Sequence, residues 1–190
     1  MNYLAHSYLS FTDAQLVGNM IADFIKNNER ENFSTPIQQG IQLHRFIDSF
    51  TDAHPAVLEA KKAFRPLVRL YSGAFVDVSF DYFLANSLPA DMLKKHSEKV
   101  YRVLRNHEEI LPANFLRMLD RMEKDDWLYH YKDDWGIKFS MQNVLNKAKY
   151  LDKDLPVFAQ FLDQKKALQQ SFDAFFPELL KYAEKVNAEF

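Results

Sequence analysis

Apolar residues recur at intervals of three and four along most of the chain, and this spacing narrows the folds open to it more than any other feature. Leu16, Val17, Met20, Ile21, Phe24 and Ile25 form one such stripe within Ala14 to Lys26, and Leu43, Phe46, Ile47 and Phe50 form another. Side chains so placed share one face of a helix, because about 3.6 residues complete a turn. The pattern returns in Pro55 to Tyr71 through Val57, Leu58, Phe64, Leu67, Val68 and Tyr71. It closes the chain in Pro156 to Val186 through Phe158, Phe161, Leu162, Leu168, Phe172 and Phe175. With only 4 glycines in 190 residues, the sequence lacks the turns that a β-rich architecture needs. The expectation is all-α: a compact single-domain helical bundle over residues 1–190, with no Gly/Ser/Pro-rich linker to divide it.

Helix boundaries are also written in the sequence. Thr12 or Asp13 suits an N-cap, and Ser34-Thr35-Pro36 joins a cap to a first-turn proline for a helix from Pro36 through Thr51. Pro55 pushes His54 out of the α region, so Asp52-Ala53-His54-Pro55 should interrupt or bend that helix. Pro66 is expected to kink the next segment, Ser72-Gly73 to stop it, and Ala74 to Leu84 to be helical again. Pro89-Ala90-Asp91 opens a helix through Leu104, and Leu111-Pro112-Ala113 opens another. Asp125 to Gly136 is expected as an exposed turn or short helix, Ser140 to Leu151 as a helix, and Pro177 as a division in the last segment.

A net charge of −2 and a pI near 6.3 provide no global basic field, which argues against nucleic acid or a membrane surface as the main partner. The absence of cysteine excludes disulfides, thiolate metal sites and cysteine nucleophiles. The first residues lack a basic n-region, and no stretch approaches the roughly 18 apolar residues of a membrane span, so a cytoplasmic protein is expected.

Chemistry concentrates in Leu43 to Pro55, where two imidazoles, a guanidinium and two carboxylates crowd an otherwise apolar segment. His44 and Asp48 stand one helical turn apart. They can share a metal ion, or they can be a helix-surface pair worth a few tenths of a kcal/mol. Asp23 sits between Ala22 and Phe24, beside an apolar stripe, where an unpaired charge would be costly. Asp77 and Asp81, four apart among phenylalanines and valines, repel unless a cation or donor lies between them. Together with His6 these residues offer a mixed imidazole and carboxylate set without thiolates, which suits Mn²⁺, Fe²⁺, Mg²⁺ or Zn²⁺ at the centre of a bundle. Metal-assisted phosphoester hydrolysis is the natural use of such a set. Arg45, about 100° around the helix from His44, has the planar fork that suits a phosphate oxygen. His54 reads as a turn residue, and His96, His107 and His130 lie in polar surroundings that favour solvated roles. Lys61, Lys62, Arg65 and Arg69 form either a solvated basic face or a docking surface for an acidic protein.

Four blocks carry a specific resemblance. Asn2-Tyr3-Leu4-Ala5-His6, Gly18-Asn19-Met20-Ile21-Ala22-Asp23-Phe24, Gly40 to Asp48 with Thr51-Asp52, and Asp77 with Asp81-Tyr82-Phe83-Leu84 resemble, in order, the acyl carrier protein phosphodiesterase family. Gln142-Asn143-Val144-Leu145-Asn146 extends the likeness into the second half. The resemblance implies a cytoplasmic bacterial hydrolase, divergently related to the HD phosphohydrolases, that removes 4′-phosphopantetheine from holo-acyl carrier protein with a divalent cation, typically Mn²⁺. It implies Asp23, His44, Asp48 and Asp77 as metal ligands, with His6 and Asp81 completing or adjoining the site; Asp81 or His6, each of a type suited to general acid or base work, would assist proton transfer. Arg45 would steady the phosphate, and Lys61, Lys62, Arg65 and Arg69 would meet the carrier. The chain departs from an HD pattern in that Arg45 follows His44 and the carboxylate comes a turn later. It also has Tyr82 where the family often has His, and Asn27 where it often has Gly. Two other readings remain open: an HD-like phosphohydrolase for a nucleotide or other small phosphoester, and a helical carrier-binding protein without catalysis.

Overall fold

The computed structural model describes residues 1–190 as ten α-helices joined by short turns, with no strand. In chain order they are α1 (Tyr3–Tyr8), α2 (Asp13–Ile21), α3 (Thr35–Ala53), α4 (Pro55–Val68) and α5 (Ser72–Ser87). Then follow α6 (Ala90–Arg105), α7 (Ala113–Lys124), α8 (Trp127–His130), α9 (Asp134–Lys147) and α10 (Val157–Ala188). One continuous buried core draws side chains from Met1 to Val186. No helix is long and apolar enough to cross a membrane.

Several boundaries fall where the sequence punctuates them. Thr12 caps α2 by accepting from the Gln15 amide at 3.2 Å. His54 leaves the α region before Pro55, ends α3 and caps α4 with its ring nitrogen on the Ala56 amide. Other expectations need correction. Ser72 begins α5 rather than ending a helix, and the stop is Arg69, whose φ of 49° takes it out of the α region. Helix α9 starts at Asp134, six residues before Ser140. Pro177 does not divide α10. It lies on the exposed side of the helix, where the carbonyl that loses its partner can reach water. The stripe of Phe172, Phe175, Phe176 and Leu179 therefore runs past it in phase.

Helix α5 is the axis of the bundle, buried on all sides through Phe75, Val76, Val78, Phe80, Phe83 and Leu84. Helices α1, α4, α9 and α10 pack around it. Against this group lies the pair α2 and α3, which meet backbone to backbone. A Cβ on Gly18 would stand 2.0 Å from the Ile37 carbonyl oxygen, and one on Gly40 would stand 2.2 Å from the Gln15 carbonyl oxygen. Only hydrogen fits on either side of this crossing. On the far side Tyr101 ties three helices together, donating to the Met122 carbonyl at 3.0 Å and accepting from the Leu128 amide at 3.2 Å.

His96 is not the solvated residue its neighbours suggest. Ser7 gives its hydroxyl proton to the Leu4 carbonyl and accepts from His96 Nε2 at 2.9 Å, which joins α6 to α1. Burial, with a smaller contribution from Lys99, lowers the His96 pKa to about 4.

Two outcomes follow. Gly18→Ala or Gly40→Ala should lower the unfolding free energy by roughly 3 kcal/mol, because the obstacle is backbone that cannot rotate away; urea melts measure this. His96 takes up its proton near pH 6.5 when unfolded but near 4 when folded, so its contribution is complete above about pH 6.5 and is lost on acidification toward 4. Between pH 7 and 5 the native protein should lose about 1–2 kcal/mol that His96→Gln does not lose, as read from paired denaturation curves.

Candidate metal centre

Three helices and a turn converge at one end of the α2–α3 crossing. Helix α1 supplies His6, α2 supplies Asn19, the 3-10 turn at Ala22–Phe24 supplies Asp23, and α3 supplies His44 and Asp48. The His6 and His44 rings stack with centroids 4.0 Å apart and planes 16° from parallel. Asn19, fully buried, organises both. Its side-chain oxygen lies 2.8 Å from His6 Nδ1, and its backbone carbonyl lies 2.8 Å from His44 Nδ1. Its amide nitrogen donates to the His6 carbonyl at 2.8 Å, which fixes which end of the amide is oxygen. Both Nδ1 atoms therefore meet only acceptors and must carry hydrogen when the rings are neutral, which leaves a lone pair on each Nε2.

Those two Nε2 atoms point at one carboxylate. His6 Nε2 lies 3.2 Å from one oxygen of Asp48, and His44 Nε2 lies 3.1 Å from the other. Asp23 adds an oxygen 3.3 Å from His44 Nε2. In spite of these neighbours, His44 Nε2 is buried and has no hydrogen-bonding geometry to any of them. A buried lone pair among carboxylate oxygens suits a cation, and the ligand atoms of His6, His44 and Asp48 all lie within 4.8 Å of one another. The residues present fit a divalent metal ion.

The electrostatics agree with that fit. Burial disfavours a charged His44, yet Asp23 and Asp48 outweigh it and raise its pKa to about 9. Burial lowers the His6 pKa, and a charged His44 beside it lowers it further. Burial alone would raise the Asp48 carboxyl, but His44 and His6 hold it well below the usual carboxylate range. Asp23 is lowered by His44. With no metal, the cluster keeps one positive charge on an imidazole, in the place where a cation balances the same acids.

The remaining candidates separate. Asp77 lies 3.2 Å from the buried amino group of Met1, which is 3.8 Å from Asp48 on its other side. Burial opposes that ammonium, but Asp77, Asp48 and Asp81 raise its pKa overall. Asp81, expected from the sequence as an aid to proton transfer, has partners of its own. It is fully buried, with its oxygens accepting from the Leu4 amide at 2.8 Å and the Ala5 amide at 3.2 Å, so it clamps the first turn of α1. Burial raises its pKa to about 7, against the pull of those amides and the Met1 ammonium. Arg45 is exposed and donates to Asn27 at 2.7 Å, beside the cluster rather than in it. In the basic run, Lys61 pairs with Asp52 and Lys62 with Glu59, while Arg65 and Arg69 are exposed and make no ion pair. Tyr82 points elsewhere, with its hydroxyl on Lys165 and its ring against Phe161. Its side chain therefore packs against α10 rather than lining the metal centre.

Asn19 and the Met1 amino group are the participants that residue types alone did not single out. An Asn one residue after a helix-crossing Gly was the available signal for the first. The cluster opens into a cavity of about 50 Å³ lined in part by Met1, Asn2, Tyr3, Asp23 and Met20. Asn2 and Tyr3 also line a separate cleft of about 410 Å³.

Fold and site together define an all-α protein with a buried histidine and carboxylate centre suited to a divalent metal. The family model for acyl carrier protein phosphodiesterase matches residues 1–179, and the chain belongs to that family. It is 30% identical over 189 residues to the acyl carrier protein phosphodiesterase of Yersinia enterocolitica, covering 97% of this chain and 98% of the relative. It is also 30% identical over 193 residues to the protein of that name from Enterobacter sp. (strain 638), covering 96% of this chain and 97% of the relative. An Escherichia coli O6:H1 protein of the same name is 29% identical over 194 residues, covering 97% and 98%. No solved structure gives a significant match.

Because Asn19 sets the orientation and tautomer of both rings, Asn19→Ala should weaken the binding of a divalent ion by about 10- to 100-fold, as measured by calorimetric titration with Mn²⁺ as the probe.

Proposed function

We propose that the protein hydrolyses the phosphodiester joining 4′-phosphopantetheine to the serine of holo-acyl carrier protein, in the cytoplasm, releasing apo-carrier and 4′-phosphopantetheine. The observation that carries this reading is the convergence of His6, His44 and Asp48, within a chain of this family, on a point suited to a cation. His6, His44 and Asp48 would hold a divalent ion, Mn²⁺ before Fe²⁺ or Mg²⁺, with Asp23 at its exposed edge and Asp77 on the far side of the Met1 amino group. When bound, such an ion supplies positive charge toward the phosphate and acidity toward water.

The chain's own groups do the rest. Asn19 keeps both Nδ1 atoms as donors, so that neither ring needs to rotate when the site fills. Asp23, with most of its side chain exposed, is the carboxylate best placed to take a proton from an incoming water, because its fellow Asp48 is occupied by two imidazoles. Asp81 holds α1, and therefore His6, in position. Arg45 stands on the exposed side of α3 and meets the phosphate, while Arg65 and Arg69 keep the free charge needed to attract an acidic carrier.

Incubation with holo-carrier protein and Mn²⁺ should remove the prosthetic group, followed as the loss of its mass from the carrier. His44→Ala and Asp48→Ala should abolish that loss in folded protein, and Arg45→Ala should slow it by about 10- to 100-fold. Unchanged turnover in the His44 and Asp48 variants would overturn the proposal.

A further inference from the structure

The cleft of about 410 Å³ lies next to the metal centre and is unused by anything described so far. Its volume falls within the range of small-molecule sites, roughly 300–1,000 Å³. It shares Asn2 and Tyr3 with the small cavity over His6 and His44, so the two spaces border one another at the start of α1. The walls combine apolar and polar chemistry. Phe24, Met118, Trp127, Phe139 and Val144 give an apolar face. Asn114, Ser140 and Asn143 give groups able to pair with amides, and the Asn143 side chain forms no hydrogen bond within the protein. Arg117, Arg121 and Lys147 also line the cleft, and none of the three makes an ion pair. Uncompensated positive charge beside the centre favours the approach of an anionic phosphodiester from this side, while the amide-pairing and apolar groups suit an uncharged chain attached to it.

We infer that this cleft holds the pantetheine arm of the substrate, the extended chain of two amides, a branched apolar end and a sulfur terminus that leaves with the phosphate. The inference rests on the function proposed above, because that function puts the phosphate at His6, His44 and Asp48. An arm attached to a phosphate at that point leaves through a neighbouring space, and Asn2 and Tyr3 line both the cleft and the cavity over the centre. A chain that alternates amides with methylene groups needs spaced polar partners on an apolar wall, and that is what Asn114, Ser140 and Asn143 provide among the aromatic residues. The cleft then fixes the direction in which the phosphodiester presents itself, and distinguishes the pantetheine side of that bond from the carrier side.

Two measurements test this. Unphosphorylated pantetheine is titrated into the full chain carrying Trp135→Phe, which leaves Trp127 in the cleft as the one tryptophan. A saturable change in its fluorescence is expected, and the change should be lost when Asn143→Leu is added to that chain. Turnover of holo-carrier is followed in Asn143→Leu and in Met118→Trp, with Mn²⁺ binding and thermal melts as controls for the metal centre and the fold. KM should rise about tenfold with a smaller change in kcat, and pantetheine should inhibit the parent chain competitively but inhibit the variants weakly. If Met118→Trp misfolds, Asn143→Leu gives the same readout. Failure of pantetheine to bind, or an unchanged KM in the folded variants, would overturn the inference. If holo-carrier is not cleaved, the proposed function fails on its own, and the fluorescence titration still decides whether the cleft takes the arm.

Discussion

The contact on which the rest depends is the crossing of α2 and α3 at Gly18 and Gly40. Two helices ordinarily keep 8–10 Å between their axes because side chains stand between them. Here a methyl group on either glycine would collide with the other helix's backbone, so the helices settle as closely as their main chains permit. Asn19, next to Gly18, is thereby brought within reach of His44, one turn beyond Gly40. The carbonyl of Asn19, already part of a helix, approaches an imidazole closely enough to accept its proton at 2.8 Å. A larger residue at the crossing would separate the groups that orient the histidines before it touched the histidines themselves.

From that point the site is organised by one carboxylate rather than by several equal ones. Asp48 faces both imidazoles and lies on the same side as the Met1 amino group, so positive or potentially positive groups approach it from three directions. Concentrating cations on one acid keeps it ionised in a half-buried position that would otherwise favour the neutral form. Asp77 and Asp81 show the complementary case. Neighbours on one helix that would repel each other are given separate partners: an ammonium for Asp77, and two backbone amides for Asp81.

The bundle itself was legible because amphipathic spacing survives whatever the tertiary contacts do, and because Thr12, Ser34 and the residues around Pro55 act within a few positions of themselves. Residue type is a poor guide where exposure decides the outcome. Pro177 is tolerated because it faces water, and Ser72 opens a helix because Arg69 had already broken the previous one; neither exposure nor an unusual φ is written in residue type. In the site, His44 and Asp48 could be paired from their spacing, since a single helix fixes it. His6 and Asp23 could only be offered as candidates, because their approach depends on how α1 and the turn at Ala22–Phe24 pack on α3. The backbone partners of Asp81 are hidden for a related reason. A carboxylate in an apolar run signals a partner without saying whether that partner is a cation or a helix end. Asn19 carried no charge to attract notice, and the closeness of the helices alone gives it its role.

The clamp between Asp81 and α1 has a consequence in time. His6 is synthesised well before Asp81, so the amides that hold its helix in place find their acceptor only when α5 has been made and buried. The centre is thus absent from any shorter nascent chain and forms only when the two distant segments meet. A metal ion that binds the finished arrangement and not its parts then favours the closed form by mass action, so that occupancy becomes a signature of a completely folded molecule.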